Sequence, residues 1–467
     1  MRRLYFGLSS ICVVCLIVVI VVYSSTGGNF PFDYGIVIDA GSARSEVSLF
    51  KWLGDHTNRT GVVFEVTDCE THEGIDDNED NVKPTINHLV KCVKTISQFI
   101  DLDKKSVTPL YFGATAGMRI LQVGKPSLAE FIINSIKKAF AKLKVNGKVI
   151  SARDIRIIPG KEEGVFSWIS VNYLLKNIAP LAGGEMRNRT VGILDMGGAS
   201  AQIAYEVSNT TARTAEEEDV VLFGTEYRVL ADSNLCFGKD EALKRYLVTL
   251  IQSHSSSDSI ITDPCLQEDA QRTIHGSELS KSACLHSSSP GIKLFSHDIA
   301  YLFKGSAKRR ECSKAIEKVV DVEECRKTFK YCIKVRSNPP PRDMLFYAIS
   351  NYYFATSNSF PSAHNVSAKE FQANIQLWCS RKWADIVDNV KYPLRFVIDY
   401  CFLLNYIYVT LTKVYKFDEL LFENIIFQKR VDGQSISWSL GYMINSTNGL
   451  PPLEPYPPLI PKGPFIL

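Results

Sequence analysis

The sequence predicts an α/β protein made of two related halves, carried behind an apolar N-terminal segment. Three observations carry this expectation. A short pattern occurs twice, with Asp39 and Asp195 at equivalent places 156 positions apart. Strand-like and helix-like segments alternate from residue 33 to about residue 160. Leu4–Tyr23 is a run of twenty residues without a charge, preceded by Arg2 and Arg3.

The N-terminal run is long enough to cross a bilayer as a helix. Its basic flank stays cytoplasmic, which puts the rest of the chain outside the cytosol. We expect an uncleaved single-pass type II anchor at residues 1–23, with a short stalk at 24–32. The competing reading is a signal peptide cleaved near Ser24–Gly28, which would make the protein secreted. Cysteine usage fits export. Cys12 and Cys15 lie in the apolar run, and ten cysteines follow it, an even number that fits a disulfide framework. Sequons begin at Asn58, Asn188, Asn209, Asn365 and Asn445 and mark candidate glycosylation sites. The net charge is +3, and no long basic run exists. This balance argues against a nucleic-acid partner.

The first half opens with Gly35–Ile38 as a strand, then Asp39-Ala40-Gly41-Ser42, then a second strand-like run, Glu46–Trp52. Further strand candidates are Gly61–Val66, Leu110–Phe112 and Ile155–Ile158. Pro84–Ile100 and Leu128–Leu143 repeat apolar residues at helical spacing. The alternation indicates a layered α/β unit. The second copy of the pattern, Val191–Ser200, opens the second half and leads into Gln202–Val207. Residues 212–345 are more polar and hold six of the ten cysteines, so they read as disulfide-tied insertions. Leu377–Leu421 is strongly apolar and reads as core helix. Tyr400–Val409, at ten residues, is too short to cross a membrane.

Both copies read as strand, tight loop, strand. A strand ending in Gly and Ser exposes backbone N–H groups with little bulk around them, and such a loop cradles phosphate oxygens. The Asp sits where a carboxylate holds a metal ion directly or through water. Two more loops lie between the copies. Gly113-Ala114-Thr115-Ala116-Gly117-Met118-Arg119 follows a strand and enters a helix. Arg119 there pairs with phosphate or with a carboxylate. Gly160-Lys161-Glu162-Glu163-Gly164 begins another helix. Its two acids have two readings, a favourable charge at a helix N-terminus or a base that removes a proton from water.

In this order the segments resemble the signature regions of the apyrase family, the ecto-nucleoside triphosphate diphosphohydrolases. The matching stretches are Asp39–Ser42, Gly113–Arg119, Glu162–Gly164 with Trp168 and Asn172–Leu174, Asp195–Gln202, and Trp438–Met443. Weaker matches are Tyr347–Ala355 and Trp378-Cys379. The resemblance implies two actin-like, RNase H-like lobes with nucleotide between them: lobe I at residues 33–160 and 434–467, and lobe II at 161–433. It implies hydrolysis of nucleoside tri- and/or diphosphates by direct attack of water, aided by Ca²⁺ or Mg²⁺. Glu163 would be the base, with Ser200 and Gln202 beside the water. Asp39 and Asp195 would hold the metal through water. Ser42, Ala43, Arg44, Thr115, Ala116, Gly197, Gly198 and Ala199 would take the phosphates. Tyr353, Phe354 and Trp438 would close around the base. The implied disulfides are Cys69–Cys92, Cys236–Cys284, Cys265–Cys312, Cys325–Cys332 and Cys379–Cys401. The chain departs from the family pattern at Ala43-Arg44, where Ser-His is usual, so we expect Arg44 to alter the balance between triphosphate and diphosphate. The alternatives are a kinase or chaperone ATPase of the same fold, and a nucleotide-binding protein without hydrolysis.

Overall fold

The computed structural model describes residues 31–453 except 43, 55, 57–58, 72–73, 76–80, 179–188, 209–212, 255–258, 289–292 and 362–365. The apolar run, most of the stalk, Ala43 and the sequons at Asn58, Asn188, Asn209 and Asn365 lie outside the described residues. Among the described residues, no helix is long and apolar enough to cross a membrane.

Two sheets organise the chain. In the first, β1 (Phe32–Ala40) and β2 (Ser45–Leu53) form an antiparallel hairpin, with β3 (Val63–Thr71) on its outer side. β4 (Pro109–Ala114) joins β1 in parallel. After the small hairpin of β5 (Lys144–Val145) and β6 (Lys148–Val149), β7 (Ser151–Ile157) joins β4 in parallel. The order is β3-β2-β1-β4-β7. Helices α1 (Lys83–Ile96), α2 (Ala116–Gly124) and α3 (Pro126–Ala141) link these strands. The apolar stripes of α1 and α3 bury Leu89, Val93, Ile132 and Ile136 against Ile36, Ile38, Val47 and Leu49.

The second sheet repeats the scheme with β8 (Gly192–Met196), β9 (Ser200–Glu206), β10 (Glu217–Leu222) and β11 (Thr225–Leu235). A three-stranded sheet of β12 (Ile260–Asp263), β13 (Gln271–His275) and β14 (Ala300–Gly305) intervenes. The second sheet is then completed by β15 (Phe346–Ser350) and β16 (Ile425–Phe427), in the order β10-β11-β9-β8-β15-β16. Without its edge strand β10, this order is that of the first sheet. The internal repeat is therefore a repeat of topology, as expected of two RNase H-like halves.

The helix that leaves each sheet packs on the other one. α4 (Gly160–Leu174) follows β7 but lies on β8, β9 and β11. It buries Val165, Phe166, Trp168, Ile169 and Val171, so it is covered on nearly every side, as its continuous apolar run requires. After β16 comes the small hairpin of β17 (Arg430–Val431) and β18 (Gln434–Ser435).

The polar stretch at 212–345 is not all insertion. Residues 217–235 are β10 and β11, two strands of the second sheet, joined by a tight turn at Phe223-Gly224. Glu217, Arg228, Asp232 and Asn234 on these strands are polar yet buried, so composition alone reads them as insertion. The insertion proper begins with α5 (Lys239–Gln252) and includes α6 (Arg309–Val320). Cys236–Cys284, Cys265–Cys312 and Cys325–Cys332 bond within this region. Cys69–Cys92 clips β3 to α1.

The stretch 377–421 is not one helix. After α7 (Asn351–Ser359), α8 (Ala368–Cys379) ends at Ser380, and short helices Trp383–Asn389 and Leu394–Val397 follow. Pro393 stops helix propagation at Tyr392. α9 (Tyr400–Val409) is the buried core helix, and Cys379–Cys401 joins it to α8. The last helix, α10 (Trp438–Thr447), runs along α4 and covers the inner face of β1, β2 and β3.

Candidate functional site

The two repeated loops close in the same way. Gly41 N–H donates to the Arg44 carbonyl and Gly197 N–H to the Ser200 carbonyl, each at 3.0 Å. Ser42 therefore lies at the tip of the first loop, and Gly198 and Ala199 at the tip of the second. The loops face each other closely: a methyl group on Gly198 would lie 2.8 Å from Ser42 Oγ and 2.6 Å from Asp240 Oδ2. The second loop rests on Gly238, where a methyl would lie 2.5 Å from the Ser200 nitrogen and 2.6 Å from the Ala199 nitrogen. Gly238 and Asp240 were not singled out from the sequence. Their signal was weak, a Gly just before a helix rich in early acids.

The strands set the carboxylates. Asp39 stands opposite Glu46 on β2 and beside Gly113 on β4. Asp195 stands opposite Gln202 on β9 and beside Ile349 on β15. Burial pushes the Asp39 carboxyl well above its usual range, helped by Glu46 and Glu163 and opposed by Arg44. The nearby Trp438 indole N–H opposes it more weakly. Burial, then Glu163, push Asp195 up to about 6, while the hydroxyls of Ser350 and Ser167 pull the other way. Ser167 Oγ lies 3.3 Å from Asp195 Oδ2. Ser350 adopts φ 55°, which a non-glycine residue holds only at a cost of roughly 1–3 kcal/mol. The sequence gives no sign of this conformation.

The two adjacent acids on α4 face different partners. Glu162, in the first turn of the helix, pairs with Arg156 at 2.7 and 3.1 Å. Glu163, 9% exposed, turns inward. Arg119 Nη2 donates to Glu163 Oε2 at 2.8 Å and to Ser200 Oγ at 3.0 Å. Gln202 Nε2 lies 3.2 Å from the same Oε2, 2.6 Å from Ser200 Oγ and 3.2 Å from Ser233 Oγ. Both donors use Oε2, so Oε1 stays available as an acceptor. Ser200 Oγ accepts twice, so its own proton is left to donate. Arg119 also donates to the Ile158 carbonyl at 2.9 Å, which fixes its plane. Of the two kinds of partner the sequence allowed for Arg119, the carboxylate is met here in Glu163. Ser233 joins the group only because β11 lies beside β9, which no local pattern announces.

The other expected residues are placed as follows. Thr115 stands just before α2 with its N–H donating to the Ala40 carbonyl at 3.1 Å, and Ala116 begins the helix. Arg44 pairs with Glu70 at 2.8 Å and with Glu46 at 3.7 Å. Tyr353 and Phe354 are half-buried on α7, in edge contact at 5.6 Å, with Lys429 Nζ within 5.7 Å of both ring centres. Trp438 is only 4% exposed. Its ring fills the space left by Gly113, where a methyl would lie 2.5 Å away, and its edge meets Tyr442. It forms part of the wall beside Asp39. Asn445 is half-buried in the last turn of α10, and the Thr447 hydroxyl of its sequon accepts from Gly61 N–H at 2.8 Å.

A divalent cation fits this arrangement. Asp195 is buried and Asp39 half-buried, and both carboxyls are pushed up, so a cation or a proton beside them would relieve a free-energy cost. Among the described residues, no three His, Cys, Asp or Glu side chains gather as a direct ligand set. Asp39 and Asp195 are the residues that would hold such an ion, with water completing its shell.

Residues 31–456 match the GDA1/CD39 (nucleoside phosphatase) family. The chain is 30% identical over 451 residues to ectonucleoside triphosphate diphosphohydrolase 2 of Gallus gallus, covering 94% of this chain and 89% of that protein. It is 30% identical over 440 residues to the protein of the same name from Homo sapiens, covering 92% and 85%. Among solved structures, nucleoside triphosphate hydrolases from Neospora caninum superpose with a TM-score of 0.64 at 14% identity, over 94% of this chain and 96% of that one. That likeness is one of fold. The chain belongs to the GDA1/CD39 nucleoside phosphatase family.

Proposed function

We propose that this protein cleaves the terminal phosphate from nucleoside tri- and/or diphosphates by direct attack of water. The observation that supports this most is the Glu163–Arg119–Ser200–Gln202 network beside the two facing loops. Water sits against Glu163 Oε1, held by the Ser200 hydroxyl and the Gln202 amide. As its oxygen bonds to phosphorus, its proton passes to Glu163 and the bond to the leaving phosphate breaks. Arg119 keeps the carboxylate and the serine in register. Backbone N–H groups at Ser42, Ala43, Gly198 and Ala199 take the phosphate charge, with Gly197, Thr115, Ala116 and Arg44 around them. A Ca²⁺ or Mg²⁺ ion on Asp39 and Asp195, when bound, neutralises charge on the phosphates. The rings of Tyr353 and Phe354 offer a stacking surface to the base.

We further propose that lobe I comprises residues 33–160 and 434–467 and lobe II residues 161–433, with α4 and α10 packed together between them. Leu4–Tyr23 anchors the chain with its catalytic part extracellular or lumenal. The export signals support this, and glycans on the sequons would follow from it.

The test is phosphate release by residues 28–467 from ATP and ADP, with Ca²⁺, Mg²⁺ or EDTA. Glu163→Gln should slow release by about 10²–10⁴-fold, the usual contribution of a general base. Metal-dependent nucleotide binding should survive. Full activity in Glu163→Gln would sink the assignment of the base. Binding without hydrolysis in the unaltered protein would sink the enzymatic reading.

A further inference from the structure

The face of the first sheet that buries α1 and α3 is bare at its far end. Phe32 pairs with Leu53, and Lys51 stands between Tyr34 and Phe64, so these side chains share one face. Phe32, Leu53 and Phe64 are 38%, 40% and 44% exposed. Lys51 Nζ lies 4.9 Å over the Phe32 ring. Tyr34 donates to Asp101 at 3.0 Å and Lys104 to Asp33 at 3.4 Å. These bonds pin the loop carrying Leu102, 70% exposed, beside the same edge.

Both ends of the described chain meet here. Gly54 N–H donates to the Pro31 carbonyl at 3.0 Å, and Leu453 N–H donates to the Gly54 carbonyl at 2.8 Å. Leu453 packs so closely on Gly54 that a methyl there would lie 2.6 Å from its Cβ. Upstream of Pro31, only residues 24–30 separate this point from the apolar run. Those seven residues reach at most about 25 Å when fully extended.

We propose that this edge, formed by Phe32, Leu53, Phe64 and Leu102, rests against the lipid bilayer. The inference rests on reading Leu4–Tyr23 as an uncleaved anchor. The short tether holds the edge at the membrane surface, where aromatic rings and lysine stems are favoured at the level of the headgroups. In bulk water the same cluster would be an unsatisfied apolar patch. The polarity of β1 gives the arrangement a consequence. Phe32 and Asp39 lie at opposite ends of a nine-residue strand, about 25 Å apart, so the cleft opens away from the bilayer into solution.

The test uses the full chain in nanodiscs of phosphatidylcholine, plain or brominated on the acyl chains. Phe64→Trp and Leu102→Trp place fluorescent probes on the edge. Leu420→Trp, on an exposed position of the second half, is the control. Brominated lipid should quench the two edge variants well beyond the unaltered protein and leave Leu420→Trp at its level, with hydrolysis unchanged in all three. Retention in membranes after alkaline carbonate, with no extra quenching at the edge, would overturn this proposal and leave the anchor standing. Release by carbonate would overturn the anchor and this proposal together. A dimer that shields Phe64 and Leu102 from hydrogen exchange, again without quenching, would put a second copy on the edge instead.

Discussion

The carboxylate of Asp195 sits 8% exposed on β8, with Glu163 near it and only hydroxyls to relieve it. Its folded pKa of about 6 exceeds the ordinary value of 3.8. In metal-free protein, between about pH 4 and 6, the native state holds a proton that the unfolded chain has lost. The stability this contributes is full at the acid end and is lost as pH rises through about 6. Asp195→Asn, neutral at every pH, should therefore melt higher than the unaltered protein in EDTA at pH 7.5, by about 1–5 °C. The gap should shrink at pH 5. The variant should also lose metal-dependent hydrolysis, and added Mg²⁺ should no longer raise its melting temperature. Melting curves that differ equally at both pH values would show that burial of this charge is not the cause. Arg119 illustrates a different limit of residue-level reading. Its type and its loop marked it as a partner for an anion, but the choice between phosphate and Glu163 needed the distance between α2 and α4.

Among the elements, the second loop depends on the start of α5. Lys239 N–H and Asp240 N–H donate to the carbonyls of Gly197 and Gly198 at 2.9 and 2.8 Å. The Gly238 backbone lies against the nitrogens of Ala199 and Ser200. A side chain at 238 must push the loop off the position its N–H groups need. We expect Gly238→Ala to lower kcat/KM at least tenfold, since small misplacement of a charge-stabilising group is costly. Its circular dichroism should stay near that of the unaltered protein. Unchanged kinetics in a folded variant would mean that the loop is not held from behind. The first loop has no equivalent buttress from α5, but its pairing of Asp39 with Glu46 mirrors that of Asp195 with Gln202. The same frame thus carries a carboxylate in one half and an amide in the other, and the amide serves the half that holds Ser200.

For the whole molecule, the exchange of α4 and α10 between the sheets makes the C-terminal helix essential to the first half. α10 buries Trp438, Leu440, Tyr442, Met443 and Ile444 with Val37, Phe50, Trp52 and Val63. At about 2 kcal/mol for each large apolar side chain, that burial rivals the net stability of a whole domain, ~5–15 kcal/mol. A chain ending at Ser437 should fail to fold and appear in the insoluble fraction. A chain ending at Leu453 should keep metal-dependent hydrolysis. Soluble, active protein ending at Ser437 would refute the idea that α10 closes the first sheet.

The repeat around Asp39 and Asp195, the loops at Thr115 and Glu163, and the α/β alternation were legible because each is local. A strand end, a tight turn and a helix start are written in consecutive residues. Helix boundaries also followed local rules: the stretch expected at Pro84–Ile100 ends at Ile96 and tightens into a short 3₁₀ turn at Ser97–Phe99. What the sequence could not determine are the encounters between distant segments. Glu217–Leu235 looked like polar insertion because a sheet edge and an inserted loop carry similar residues; only pairing with β9 separates them. The seat of Trp438 over Gly113 is likewise invisible in the residues around either of them. Ser233, Ser350 and Gly238 join the site through strand adjacency, an unusual backbone angle and a close backbone approach. None of these leaves a mark in its own neighbourhood of sequence. Consecutive residues thus name the kinds of chemical group the proposed site uses. Tertiary packing decided which copies of those groups reach it, because distances across a fold depend on the whole chain at once.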